Sequence, residues 1–336
     1  MYKKIYTQDK MGIRHLNRFL RDSCPNSIRS VNMADLLGKR IVVDISIYLY
    51  KYEAENALLE NIYVMLSVFR HYNIIPIFIF DGKPPSEKRA LLQKRREDRE
   101  GAQQEYEHLV LQLNNLKKDG LDKREKQEII ETMIQLKKQM TQINRDKIGQ
   151  VKSLIRAYGA TYFDAPGEAD ELCALLVIKK KVWACLSEDM DLFVYGCTRV
   201  LRYFSLLEHS AILYYMKGIL QELNMNQDEF KQICVLSGTD YNINANGVSS
   251  KANLHATIKH FRKYQEAKTE QSFYNWLKNT TDYITDMELL EKIISMFQLN
   301  GQQNKLEIFR DIKIVNGPIR QDEIQAIMKE EGFIFC

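Results

Sequence analysis

Three short apolar runs in this chain each end in aspartate, and no other feature limits its fold as much. Residues 40–44 read RIVVD, residues 74–81 read IIPIFIFD, and residues 182–191 read VWACLSEDMD. Each run is continuous rather than alternating, and rich in β-branched or aromatic residues. That is the pattern of a strand buried on both faces of a parallel sheet. Between the first two lies ALLENIYVMLSVFRHY, residues 57–72, long enough for a helical crossover. The pattern predicts an α/β fold: a mainly parallel central sheet flanked by helices.

In an open parallel sheet the ligand sits outside the carboxyl ends of the strands. Asp44, Asp81, Asp189 and Asp191 are therefore expected along one edge. Glu168 and Asp170 stand in APGEADE, just after a Pro-Gly pair that marks a helix start, and Asp240 lies in the loop SGTDYN. Clustered carboxylates repel, and each raises the pKa of its neighbours. Hard cations relieve that repulsion, and an oxygen-only donor set without His or Cys favours Mg²⁺ or Mn²⁺ over zinc. Two such ions roughly 4 Å apart can clamp both oxygens of a phosphodiester displacement. Any single acid is more simply a helix cap or a surface charge, but four at three strand ends are not. Glu188 and Asp164 are assigned to such ordinary roles. A phosphatase reading of the DMD pair as D-x-D is the rival chemistry.

Residues 86–157 are long, polar and helical, and basic at their start, where Lys88, Arg89, Lys94, Arg95, Arg96 and Arg99 face only Glu97 and Asp98. A break near Gly120 suggests two helices joined by a turn. By itself this segment reads as a solvated hairpin or an interaction arm. From about residue 219 the chain is helical again, with a loop at GTDYNINANGVSS; the region 266–336 carries no assigned motif. No apolar run reaches the roughly 18 residues of a membrane span, and MYKKIYTQDK has no secretory h-region. Six scattered cysteines without a C-x-x-C pair fit a reducing, intracellular compartment. The net charge of +4 announces no partner.

These blocks together resemble the flap endonucleases, the structure-specific 5′-nucleases of DNA replication and repair. The resemblance runs through MGIRHLNRFL, GKRIVVDISIYLY, IFDGKPPSEKRALLQKR, APGEADELCA, SEDMDLFVYG and LSGTDYN, over residues 11–265. It implies a PIN-like nuclease region at 11–85 and 158–218, a helical arch at 86–157 and a helix-hairpin-helix module at 219–265, with 266–336 unassigned. It also implies that Asp44, Asp81, Glu168, Asp170, Asp189, Asp191 and Asp240 hold two Mg²⁺ ions, for which Mn²⁺ substitutes. Lys88 and Arg95 match the family's phosphate-contacting pair, Tyr50 its stacking tyrosine, and Arg99 a DNA contact further up the arch. Seven residues of helix, about two turns, keep Lys88 and Arg95 on one face. Without the seven acids the net charge rises from +4 to +11, the better measure of what DNA meets.

The chain also departs from the pattern. Where the family's loop reads G-I-G-P-K-R-A, here Gly247 is followed by Val248, Ser249, Ser250, Lys251, Ala252 and Asn253. One glycine, the proline and the arginine are lost, which implies a weaker grip on duplex and on a monovalent cation; Lys251 remains to meet a phosphate. Ten residues precede the Met11-Gly12 pair with which the family begins. No sliding-clamp motif or basic tail follows, a compact form also seen in viral members. The implied partner is branched DNA with a 5′ single-stranded flap, bound by a monomer away from any membrane. The implied place is the nucleus or another site of DNA replication, a viral replication compartment for a viral member. A 5′→3′ exonuclease and a catalytically silent junction binder are the alternatives.

Overall fold

The structure is a computed structural model. It describes residues 13–116, 123–242, 247–250, 252–299, 307, 313–330 and 332–333. In chain order the elements begin with α1 (Leu16–Ser23), β1 (Ile28–Asn32), β2 (Arg40–Asp44), α2 (Ile45–Ala54), α3 (Leu58–His71) and β3 (Ile75–Phe80). Then come α4 (Arg89–Leu116), α5 (Lys123–Met140), α6 (Arg145–Ala157), β4 (Thr161–Asp164), α7 (Ala169–Ile178), β5 (Ala184–Leu186) and α8 (Asp191–Val194). The rest is β6 (Arg199–Ser205), β7 (Ser210–Tyr215), α9 (Met216–Glu222), α10 (Gln227–Ser237), α11 (Leu254–Ala267), α12 (Phe273–Thr280) and α13 (Met287–Met296), and a last helix spans Gln321–Glu330.

One seven-stranded sheet orders these strands β1-β7-β6-β5-β2-β3-β4. From β6 to β4 every pairing is parallel, while β7 and β1 add an antiparallel edge. The expected α/β class and largely parallel sheet are therefore present. The sequence reading named only β2, β3 and β5. β6 escaped it because Arg199 and Arg202 interrupt its apolar run, whereas β7 keeps the run AILYY but has no acid at its end.

The continuous apolar runs are explained by burial on both faces. In β2, Val42 packs into one core while Ile41 and Val43 pack into the other; in β3, Ile77 and Ile79 oppose Phe78 and Phe80. The first core is closed by α1 and by α7 through α13, the second by α2, α3, α6 and the last helix. Both layers fix the heights of the strand ends, and so the positions of the acids there.

The polar stretch 86–157 divides into three helices. α4 and α5 pack on each other and are largely exposed, whereas α6 buries Val151, Leu154, Ile155 and Ala157 in the body. The C-terminal region is also tied down. Gly317 N donates to Gly159 O at 2.8 Å, Arg320 N to Ala157 O at 2.8 Å, and Asn316 Nδ2 to Ile74 O at 3.0 Å. Arg70 Nη2 donates to the carbonyls of both Tyr158 and Gly317.

Gly159 carries this junction. Its φ is +71°, and a Cβ there would lie 2.5 Å from the Gly317 carbonyl oxygen. Gly149, in the middle of α6, faces open space. Gly159→Ala should destabilise the fold by about 2 kcal/mol, a Tm drop of several degrees. Gly149→Ala should stabilise it by about 0.5–1 kcal/mol. Thermal melts of the two variants check this; equal effects would refute the reading of the junction.

Candidate active site

The seven acids predicted from sequence occupy one side of the molecule, above the C-terminal ends of β2, β3 and β5. Asp44 ends β2 and stands at the N-cap of α2, buried at 5% exposure. Ser187 Oγ donates to Asp44 Oδ2 at 2.8 Å and accepts from Asp189 N at 3.0 Å, so one hydroxyl ties two strand ends. Asp81 follows β3 and accepts from Ala169 N at 2.8 Å, which fixes the start of α7 against that strand. Glu168 is the N-cap of α7, and Asp170 lies in its first turn. Asp189 Oδ1 accepts from Asp191 N at 2.8 Å where α8 begins.

Two acids stand out by their unsatisfied oxygens. Asp170 and Asp191 are 5% and 0% exposed. Asp170 Oδ2 and both oxygens of Asp191 are buried without a hydrogen-bond partner among the described residues. A buried, unsatisfied carboxylate is costly unless something cationic meets it. Burial, then the neighbouring acids, hold both carboxyls well above the ordinary range, against the pull of Lys88. Burial, then Asp81, push Asp44 up to about 8, against the Ser187 hydrogen bond. Burial, then Asp240, raise Asp189.

Lys88 is the buried cation among them, 7% exposed at the foot of α4. Its Nζ is 2.7 Å from Glu168 Oε1, 3.8 Å from Asp240 Oδ2, and 5.0 Å from the Tyr241 ring centre. Burial opposes its charge, but Asp170, Asp191 and their neighbours keep the ammonium firmly protonated. Arg95 Nη2 reaches the same Asp240 oxygen at 3.3 Å. The spacing of seven therefore does put both cations on one face, where they share one oxygen of Asp240.

Tyr50 on α2 is 50% exposed, unlike the buried Tyr48 and Tyr52 beside it. Arg99 has no ion-pair or hydrogen-bond partner among the described residues. Gly247, at φ +89°, accepts from Thr285 N and Asp286 N at 2.9 and 3.0 Å, so its carbonyl is already engaged within the fold. Lys251 lies outside the described residues.

Sequence reasoning missed Ser187 and Tyr241. Ser187 is a small polar residue closing an apolar strand, and Tyr241 directly follows Asp240; its hydroxyl donates to Glu168 Oε2 at 2.6 Å. Glu188 and Asp164 have the ordinary roles assigned to them. Glu188 pairs with buried Arg202 at 3.5 Å and accepts from Tyr203 N, and Asp164 pairs with Lys152 at the surface.

The donor set suits a hard divalent cation: all oxygen, strongly negative, and with buried oxygens that no protein donor satisfies. As the side chains stand, no group of three or more His, Cys, Asp or Glu among the described residues is drawn in closely enough to hold an ion.

The XPG N-terminal domain model matches residues 11–102, and the XPG I-region model matches residues 159–240. The chain belongs to the XPG/Rad2 family. Membership makes it a structure-specific 5′-nuclease. The first match starts at Met11, and the two leave 103–158 unmatched, most of the three helices between β3 and β4. Flap endonuclease 1 of Leishmania major is 29% identical over 96% of this chain and 81% of its own length. That of Aedes aegypti is 29% identical over 79% of this chain and 72% of its own. These XPG relatives lend no support to the expectation of a compact viral form. Among solved structures, the catalytic core of Rad2 in complex with DNA substrate superposes with a TM-score of 0.60 at 20% identity, covering 93% of both chains. Flap endonuclease-1 from Methanococcus jannaschii gives 0.54 at 20% identity, covering 90% of this chain and 97% of its own. Both show the same fold.

The repulsion has a thermodynamic signature in metal-free protein. Asp44 titrates near 8 when folded and near 4 when unfolded. The raised value means its contribution to stability is fully present below about pH 4 and is lost as pH rises towards 8. Metal-free Tm should therefore fall between pH 5 and pH 8, and Mg²⁺ should reverse most of the fall. Asp191→Asn should raise metal-free Tm at pH 8 by several degrees, a gain of about 1–2 kcal/mol. A lower metal-free Tm in that variant would mean the carboxylate is held by the fold rather than strained within it.

Proposed function

We propose that this XPG-family chain is a metal-dependent endonuclease that removes 5′ single-stranded flaps, hydrolysing a phosphodiester near the single-strand/duplex junction. The supporting observation is the buried, unsatisfied pair Asp170 and Asp191 within a ring of acids, with Lys88 and Arg95 at its rim. Glu168, Asp170, Asp189 and Asp191 would hold two Mg²⁺ ions directly, with Asp44, Asp81 and Asp240 helping through water. When bound, such ions supply an activated water and neutralise the oxygens of the displacement.

The chain's own residues do the rest. Lys88 leaves its contact with Glu168 for a phosphate oxygen, and its burial makes that charge worth more than in water. Arg95 reaches the same phosphate from one side while Asp240 keeps the two cations together. Tyr50 offers an exposed ring for stacking a base. Ser187 and Tyr241 hold Asp44 and Glu168 in place. Arg99 and the basic foot of α4 draw in the flap, and α4 with α5 forms an arch that the flap passes through. Lys251 and the loop at Gly247 touch the duplex, with a weakened place for a monovalent cation. The enzyme would act where cellular DNA is copied and repaired, the nucleus in a eukaryote.

A gel with a 5′-labelled flap, with and without Mg²⁺, tests the reading. Cleavage near the junction should need the metal, and nicked or blunt duplex should be cut more slowly. Preference for nicks would instead select the 5′→3′ exonuclease. Lys88→Ala and Arg95→Ala should each lower single-turnover cleavage by about 10²–10³, the range for one preorganised donor. Arg99→Ala should act mainly on binding. Equal, small effects at all three positions would remove the arch foot from the chemistry.

Passage through an arch has its own signature. A bulky protein block on the flap's 5′ end should stop cleavage if attached before enzyme is added. Attached after assembly without Mg²⁺, it should trap a complex that cuts when Mg²⁺ arrives. Fast cutting in both orders would mean the flap is gripped from the side.

A further inference from the structure

The opposite edge of the sheet carries the opposite charge. β2 begins at Arg40 and ends at Asp44, and Lys39 precedes it. β5 is entered through Lys179, Lys180 and Lys181, all exposed, with Lys180 at φ +57° in the turn that leaves α7. β6 begins at Arg199, and Lys217 lies just past the end of β7. Strand register joins these residues. Trp183 N donates to Arg40 O at 2.7 Å, Cys185 pairs with Val200, and Arg199 pairs with Tyr215. β2, β5, β6 and β7 are consecutive in the sheet, so the row extends for about 14 Å at about 4.8 Å per strand.

None of these cations makes an ion pair among the described residues. The acids flanking their stretches are committed elsewhere. Asp35 accepts from Asn32 N at 3.1 Å, and Glu222 takes the Ser27 hydroxyl and the Asn26 amide. Arg199 instead lies 5.2 Å from the ring centre of Trp183 and 5.7 Å from that of Tyr215. Tyr215 is 38% exposed. Unpaired like charges in a row, with a guanidinium between two rings, repel one another until a polyanion arrives.

We propose that this edge, remote from the acids, is a second nucleic-acid-binding surface that takes the phosphate backbone of a duplex. A nucleic acid suits it better than an acidic peptide for two reasons. The charges form a straight row about four base pairs long, at duplex rise. The ring–guanidinium cluster offers flat apolar faces to the sugars of the backbone, which carboxylate side chains cannot use. The surface would hold a further DNA segment while the acidic edge works. The inference stands on the cation row alone and does not need the flap reading.

The test uses metal-free protein and a short fluorescent duplex at low salt, with stoichiometry read by sedimentation velocity. Wild type should bind two duplexes. The triple variant Lys179→Ser/Lys180→Asn/Lys181→Ser should bind one, with the weaker of the two affinities lost by ~10-fold or more. The salt slope of that weaker site should fall by about 3, since each duplex phosphate contact contributes about 0.9. Asn suits the left-handed position, and all three sites are exposed, so the fold should be retained; Arg199→Gln gives an independent check at the far end of the row. Flap cleavage by the triple variant should match wild type. A single duplex bound by wild type, or two still bound by both variants, would overturn the proposal. So would displacement of the second duplex by polyglutamate as readily as by unlabelled DNA, which would make the edge a site for an acidic protein.

Discussion

The site rests on a repulsion. Two packed layers hold the ends of β2, β3 and β5 at fixed heights, and those ends and the loops around them present carboxylates to one another. The sheet cannot relax them apart without unpacking Ile41 through Val43 and Ile77 through Phe80, which are at most 3% exposed. Lys88 offsets part of the repulsion, and Ser187 fixes Asp44 and Asp189 by one hydroxyl. The remainder is left as raised carboxyl pKa values and unsatisfied oxygens on Asp170 and Asp191. Glu188 also has a raised pKa and a buried oxygen without a hydrogen bond, but Arg202 lies 3.5 Å from that oxygen, whereas neither Asp170 nor Asp191 has an ion-pair partner among the described residues. Such unrelieved repulsion is what a bound cation would offset.

Much of this was legible in the sequence, for a physical reason. A strand buried on both faces has almost no polar residues until it ends, so RIVVD and IIPIFIFD mark both a strand and the place where a side chain can first turn functional. Glu188 is separated from Asp189 and Asp191 on a different ground: its neighbouring acids already fill the inward positions. What the sequence concealed depends on contacts between distant residues. Tyr241 bonds Glu168 across 73 positions, and Ser187 bonds Asp44 across 143. Neither has a local signature. The antiparallel edge was hidden because β6 carries Arg199 and Arg202, which break its apolar run; Arg202 is tolerated there only through Glu188 and Asn17. The C-terminal region showed no motif because its attachment relies on main-chain groups, such as those of Ala157, Gly159 and Gly317, which any sequence supplies.

A parallel sheet has two unlike ends, and this chain uses both. Strands in one direction place all their C-terminal residues on one edge and all their N-terminal residues on the other. Acids at the first and lysines or arginines at the second then separate charge along the length of the strands. The antiparallel β7 takes part because its end, not its start, meets Arg199. That explains how a chain with a net charge of only +4 can present a strongly negative site and unpaired cations at once. Net charge is silent where charge is sorted by topology.

Lys88 links the site to the long helices. It closes the 3₁₀ turn that leads directly into α4, and its ammonium is among the carboxylates. Arg95, two turns further on, shares its Asp240 oxygen. The foot of α4 is thus held by the negative charge of the site rather than by apolar packing; Leu92 is 40% exposed. Ion pairs exchange partners where packed cores cannot, so a phosphate entering the site can draw Lys88 and Arg95 from the acids to itself. Under the proposed function, α4 is the element that such an exchange would move, and binding of DNA along the arch and assembly of the catalytic charges would be one event, because the same two side chains would perform both.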